Sequence, residues 1–194
     1  MLSMHLQLCG SYPARLLLLF LCSIFTGLQA SGQNPKTAEP EFSGTIVFAD
    51  STGSGKSLET ATMAIKTKGN ASLYITGIGK ATSYGLVKGK TSTCMIAAQP
   101  RLDFVYRAES NSVNPKDVIQ LVRFTASKDG NRVMPIVSAT NFSSNSNEVV
   151  YLDFTAKKYG KSSYLISVAD LPPGEYGFSL GKESTYTVHL FTVR

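Results

Sequence analysis

The chain has 194 residues, with 19 Lys and Arg against 13 Asp and Glu, three cysteines and no tryptophan. A net charge of +6 without basic clusters interleaved by aromatics argues against a nucleic-acid-binding surface. Two of the cysteines, Cys9 and Cys22, fall within the first 30 residues, which excludes a disulfide framework and leaves stability to an apolar core.

Residues 1–30 place one cation, Arg15, before the apolar run Leu16 to Phe25, and end in Leu28-Gln29-Ala30. That order predicts a secretory signal peptide cleaved near Ala30. The run is shorter than the roughly 20 residues a membrane-spanning helix needs. No later apolar run is long enough to span a bilayer, so no transmembrane span is expected in the mature chain. The predicted destination is periplasmic or extracellular.

Residues 31–41, "SGQNPKTAEPE", are polar with two prolines and read as a flexible tether. Residues 42–194 read as one domain. From Phe42 onward, short runs rich in Val, Ile, Thr, Tyr and Phe are separated by Gly, Asn, Asp, Ser and Pro clusters. The predicted strands are 43–49, 61–68, 72–77, 82–88, 91–98, 102–107, 118–125, 132–138, 149–155, 162–168, 174–180 and 185–193. In "VVYLDFTA", Val150, Leu152 and Phe154 fall on one face and Tyr151, Asp153 and Thr155 on the other, as a half-buried strand requires. "KDGN", Lys128 to Asn131, carries the Asp-Gly pair of a tight hairpin. One short helix near 57–65 is the only helical candidate. The expected fold is all-β, an antiparallel β-sandwich of about 10–12 strands, Ig-like or jelly-roll-like.

"FADSTGSGKSLETA", Phe48 to Ala61, resembles a phosphate-binding loop only at its Gly-Lys-Ser end. The loop needs a glycine five residues before the Gly-Lys pair, and Asp50 stands there. Gly-Lys recurs at Gly55-Lys56, Gly79-Lys80, Gly89-Lys90, Gly160-Lys161 and Gly181-Lys182. It is the turn vocabulary of this chain: glycine supplies the positive φ of tight turns and lysine keeps the edge charged.

The segment "LPPGEYGFSL", Leu171 to Leu180, resembles the Leu-x-Pro-Gly-x-Tyr element of fibronectin type III and collagen-adhesin B-type modules. The resemblance implies a tyrosine corner. Tyr176 would be the corner tyrosine, Pro173-Gly174 the turn, and Leu171 a plug in the core. With it, "GIGKATSYGLVKGKTS" and "NPKDVIQLVRF" make most of the mature chain similar to uncharacterised exported β-sandwich proteins of Gram-negative bacteria, and that resemblance implies no activity.

Catalytic chemistry is sparse. His189, the one histidine after Ala30, alternates with apolar residues and reads as a strand residue with one wet face. Cys94, in "TCMIAA", reads as a small buried apolar residue. There is no Gly-x-Ser-x-Gly elbow and no cysteine or histidine cluster, so no metal site, no cofactor and no enzyme are expected. A glycan-active enzyme using two of the scattered carboxylates is the weakest reading.

Beyond Ala30 the charge is +5. If consecutive strands pair antiparallel, alternate turns gather Lys56, Lys80, Lys128, Lys157, Lys158, Lys161 and Lys182 at one end of the sandwich. That would make a basic pole for an anionic partner: an acidic glycan, a lipid headgroup or an acidic protein. The expected function is a non-catalytic binding or structural module at the cell envelope or outside the cell. The alternative is a carrier enclosing a small apolar ligand between its sheets.

Overall fold

In the computed structural model the described residues are 37–69, 75, 79–140, 151–180 and 186–194. The predicted signal peptide, the predicted strand 72–77 apart from Ile75, and Lys182 lie outside them. All described residues from Thr37 on belong to one compact unit, Pro35–Arg194.

The chain is all-β. Its strands are β1 (Ile46–Phe48), β2 (Lys56–Ser57), β3 (Glu59–Gly69), β4 (Lys80–Val87), β5 (Met95–Ile96), β6 (Arg101–Arg107), β7 (Ile119–Ala126), β8 (Arg132–Thr140), β9 (Tyr151–Leu152), β10 (Thr155–Tyr159), β11 (Ser163–Ala169), β12 (Gly174–Leu180) and β13 (Tyr186–Val193). The helical candidate near 57–65 is strand, as the overlapping strand expectation 61–68 has it: Ser57 closes β2 and Glu59 opens β3. Ala61 and Met63 turn inward while Thr60 and Thr62 face out, a period of two that no helix can bury.

The strands do not form a plain two-sheet sandwich. β12, β13, β3, β4, β8 and β7 pair in that order, and β7 returns to β12, closing a six-stranded barrel. Closure works because two strands change partners along their length. Glu59 to Met63 of β3 pair with β13, and Ala64 to Gly69 pair with β4. Ile119 to Phe124 of β7 pair with β12, and Thr125 and Ala126 pair with β8. A register shift between Ser83 and Tyr84, opposite Pro135, adds the coiling that a narrow barrel needs. A second, open sheet runs β10-β11-β6-β1-β2, antiparallel throughout. β5 pairs in parallel with β13, which carries the chain from the barrel wall into the open sheet.

Two apolar layers result. Inside the barrel lie Met63, Val87, Val122, Phe124, Met134, Val188 and Leu190. The space is tight: a Cβ on Gly85 would sit 2.4 Å from Met63 Sδ, and one on Gly177 would sit 3.0 Å from both Leu190 and Phe124. Between barrel and open sheet lies the larger core, with Phe104 against Phe178 and Phe191 at ring-centroid distances of 5.0 and 4.9 Å. β13 is therefore buried on both faces, from Val188 through Phe191. Strand 149–155 of the sequence reading is divided: β9 belongs to the barrel, Phe154 plugs the shared core, and β10 starts the edge of the open sheet.

Residues 37–41 are not a free tether. Thr37 is buried, and Glu39 accepts three hydrogen bonds from Lys161, Ser162 and Ser163 at the β10–β11 turn and a fourth from Arg107 at the end of β6. Backbone and side-chain donors on the open sheet hold a segment whose composition alone reads as flexible.

Candidate functional site

β6 and β11 pair so that Tyr106 stands directly beside Tyr164. Side chains opposite one another on a sheet face lie close enough to stack, and these rings do, 6.3 Å apart and 13° from parallel. They form the floor of a groove of about 530 Å³ at the seam between open sheet and barrel. Leu180 of β12 and Thr187 of β13 make one wall, and Val113 and Val118 of the β6–β7 connection make the other. Glu109, Ser43 and Gly44 border it.

The β6–β7 connection is held in place by the floor itself. Tyr164 is buried, and its hydroxyl donates to the Val113 carbonyl. Asn114 caps the short 3-10 turn Pro115–Asp117 by accepting from Lys116 N at 3.2 Å. Val113 and Val118 thus project at the groove as exposed apolar side chains. Burial, with the nearby Tyr164 and Glu109, pushes the Tyr106 hydroxyl above its ordinary pKa, so it stays protonated and a donor.

A second groove of about 580 Å³ lies on the outer face of the open sheet, beside Arg101, Phe154, Lys157, Leu165 and Ser167. Its charges are engaged internally. Arg101 grips Asp103 with two bonds of 2.7 Å, and Ser167 Oγ also donates to Asp103.

The predicted lysine pole is not assembled. Lys80 pairs with Thr140 at one mouth of the barrel, whereas Lys128 sits in the β7–β8 turn beside Arg132 at the other. Lys56 spends its ammonium on the Met95 carbonyl at 2.7 Å. Lys157 and Lys158 are adjacent within β10, not in a turn, and so point to opposite faces. Lys161 lies in the β10–β11 turn, where its amide binds Glu39. Alternate turns do not gather at one end because β5, within 91–98, pairs with β13 rather than with β4, and because the chain passes between barrel and open sheet.

The corner residues do come together. Tyr176 is buried, and its hydroxyl donates to the Pro172 carbonyl at 2.7 Å. Leu171 joins the shared core, and Gly174 opens β12 after Pro173. Arg123 lies over the Tyr176 ring and donates to the Pro173 carbonyl at 3.3 Å.

Three polar groups, two of them buried, escape the sequence reading. His189 has no wet face: it is buried, with Thr60 Oγ1 3.3 Å from its Nδ1, and burial lowers its pKa. Arg132 is 1% exposed and bridges Glu59 at 2.6 Å, with Glu175 at 3.7 Å. Glu39 is held at a pKa of about 2 by the Ser163 hydroxyl and the Lys161 amide. A lone charge in a sequence does not announce its partner 43 to 73 residues away. Cys94 is buried and free, as expected. Among the described residues no group of three or more His, Cys, Asp or Glu could hold a metal ion, and no helix is long and apolar enough to cross a membrane.

No protein-family model, no curated protein and no solved structure matches this chain.

Proposed function

We propose that the protein is an exported, non-catalytic binding module of the cell envelope or extracellular space, with its ligand seated in the seam groove on the Tyr106–Tyr164 pair. The observation that carries this reading is the groove's make-up: two stacked rings, the exposed side chains of Val113 and Val118, Leu180, and a small number of polar groups beside them. Concave sites with mostly apolar linings and a few placed polar groups are where small ligands bind. The floor suits a flat apolar or aromatic face, and the protonated Tyr106 hydroxyl and Glu109 supply a donor and an acceptor at its edge.

The export part rests on residues 1–30 and the non-catalytic part on the groove's ionisable content, one carboxylate and two tyrosines. The likeness to secreted β-modules is supported by the Tyr176–Pro172 bond. We read the open sheet and the barrel wall facing it across the Phe104–Phe178–Phe191 layer as the sandwich component of the fold. An enclosed carrier is less well supported, because Met63, Phe124 and Leu190 fill the barrel interior. Engagement of anionic surfaces by a lysine-rich end is not retained.

The test is calorimetric titration of the purified protein with aryl glycosides, aromatic peptides and small neutral apolar molecules, repeated with Tyr106→Ala. Binding that Tyr106→Ala abolishes supports the groove. Binding that it leaves unchanged, or none across the panel, counts against it.

A further inference from the structure

The turn between β10 and β11 is built as an anion nest, and the chain fills it itself. Gly160, at φ +56°, turns the backbone into the left-handed region. The next two amides then converge on one point, and successive N–H groups around such a residue form a concavity that takes anions. Lys161 N donates to Glu39 Oε1 at 2.7 Å and Ser162 N to Oε2 at 3.3 Å. Ser163 Oγ donates to Oε2 at 2.6 Å, and Arg107 Nη1 at 3.1 Å.

The nest reads more than charge. A Cβ at position 160 would lie 2.0 Å from Glu39 Oε1, so the carboxylate seats only against glycine. Two residues before the glutamate, the Thr37 carbonyl accepts from the Tyr159 hydroxyl, and the Thr37 side chain packs 3.0 Å from where a Cβ on Gly55 would stand. An amide in place of the carboxylate would aim its NH₂ at donors that need an acceptor.

The donors owe their placement to the sheet rather than to Glu39. Ser163 pairs with Arg107 in the β6–β11 register, and Tyr159 pairs with Ser163 across the β10–β11 turn. We propose that this nest is a receptor for a glutamate side chain on an extended acidic peptide of pattern Thr-x-Glu, and that Thr37–Glu39 occupies it in cis as the competitor of such a peptide on a partner protein. Recognition is by charge-assisted hydrogen bonds to a flat two-oxygen anion, the chemistry by which acidic motifs are read.

Glu39→Ala in the full chain removes the anchoring carboxylate. Lys161 and Ser162 amide shifts would be followed by NMR during titration with acetate, acetamide, sulfate and acetyl-Thr-Ala-Glu-Pro-amide. The proposal expects saturable downfield shifts of both amides with acetate and with the peptide, the peptide binding more tightly. It expects no response to acetamide or sulfate, and no binding of the peptide to the unaltered protein. A missing response to the carboxylates, an equal response to sulfate, or a peptide no tighter than acetate would overturn it. If Glu39→Ala does not fold, the same titration is made on Glu39→Gln, whose side-chain amide cannot accept from all of these donors. Saturable shifts of the Lys161 and Ser162 amides with the peptide keep the receptor, and their absence removes it.

Discussion

Arg132 and Glu59 meet at 2.6 Å at one mouth of the barrel, with the guanidinium all but removed from water. Arg132 also donates to the Lys88 and Gly89 carbonyls at 3.0 and 3.1 Å. Glu59 accepts from Thr93 N, and Glu175 accepts from Ser92 N and Thr192 Oγ1. The network therefore ties residues 88–93 across the barrel end. Burial works to raise the Glu59 pKa, but the bonds from Arg132 and Thr93 outweigh it and hold the carboxyl below its ordinary value.

Removing Glu59 takes the closest acceptor from the buried guanidinium and leaves Glu175, 3.7 Å away, and two backbone carbonyls as its partners. Glu59→Ala is expected to lose about 1.5–3 kcal/mol of unfolding free energy, the usual worth of a hydrogen bond to a charged group. Urea denaturation of both proteins measures it. A loss below about 1 kcal/mol, the range of surface pairs, would mean that Arg132 escapes to solvent.

Tyr176→Phe deletes one hydrogen bond and leaves the ring stacked on Phe191, 5.6 Å away. The expected cost is about 1 kcal/mol, the usual net worth of such a bond. Tyr176→Ala would also empty a core position and cost about 3–5 kcal/mol. If the two variants were equally stable, the ring would not be a core element.

Glu39 gives a pH signature. Its folded-state pKa of about 2 is depressed from an ordinary value of 4.5. A depressed carboxyl contributes stability that is fully present above the ordinary pKa and is lost as pH falls through the folded one. The stability difference between the unaltered protein and Glu39→Gln should be constant above about pH 5 and shrink between 4.5 and 2. Denaturation at a series of pH values checks this, and a difference that persisted at pH 2 would contradict it.

Gly160→Ala should reproduce Glu39→Ala, since its Cβ would occupy the carboxylate's place and its φ of +56° strains any other residue. Residues sharing one network do not add. The double variant is expected to be less destabilised than the sum of the two single changes. Full additivity would show that the turn and Glu39 act separately.

Much of the fold was legible as strands. The alternation in "TYTVHLFTV" and the Asp-Gly turn at Asp129-Gly130 place β13 and the β7–β8 hairpin nearly to the residue. The barrel was not legible, because closure depends on β3 and β7 changing partners midway, and neither pairing leaves a local pattern. Val188 to Phe191 are buried on both faces, so period-two patterning cannot tell two cores from one wet face. That is why His189 was misjudged. Tyr176 was readable because its bond spans four residues, whereas Tyr106 and Tyr164 lie 58 positions apart and meet only through the β6–β11 register.

Amide-shift mapping shows whether a ligand seats on the Tyr106–Tyr164 pair. The purified protein would be titrated with 2-naphthol, a flat aromatic probe that is uncharged at neutral pH, while its amide resonances are followed. Shifts are expected to concentrate at Tyr106, Ala108, Val113, Val118, Leu180 and Thr187, and to be lost in Tyr106→Ala. Shifts gathered instead at Lys128, Lys157 and Lys158, or spread evenly over the surface, would contradict a ligand seat on that pair.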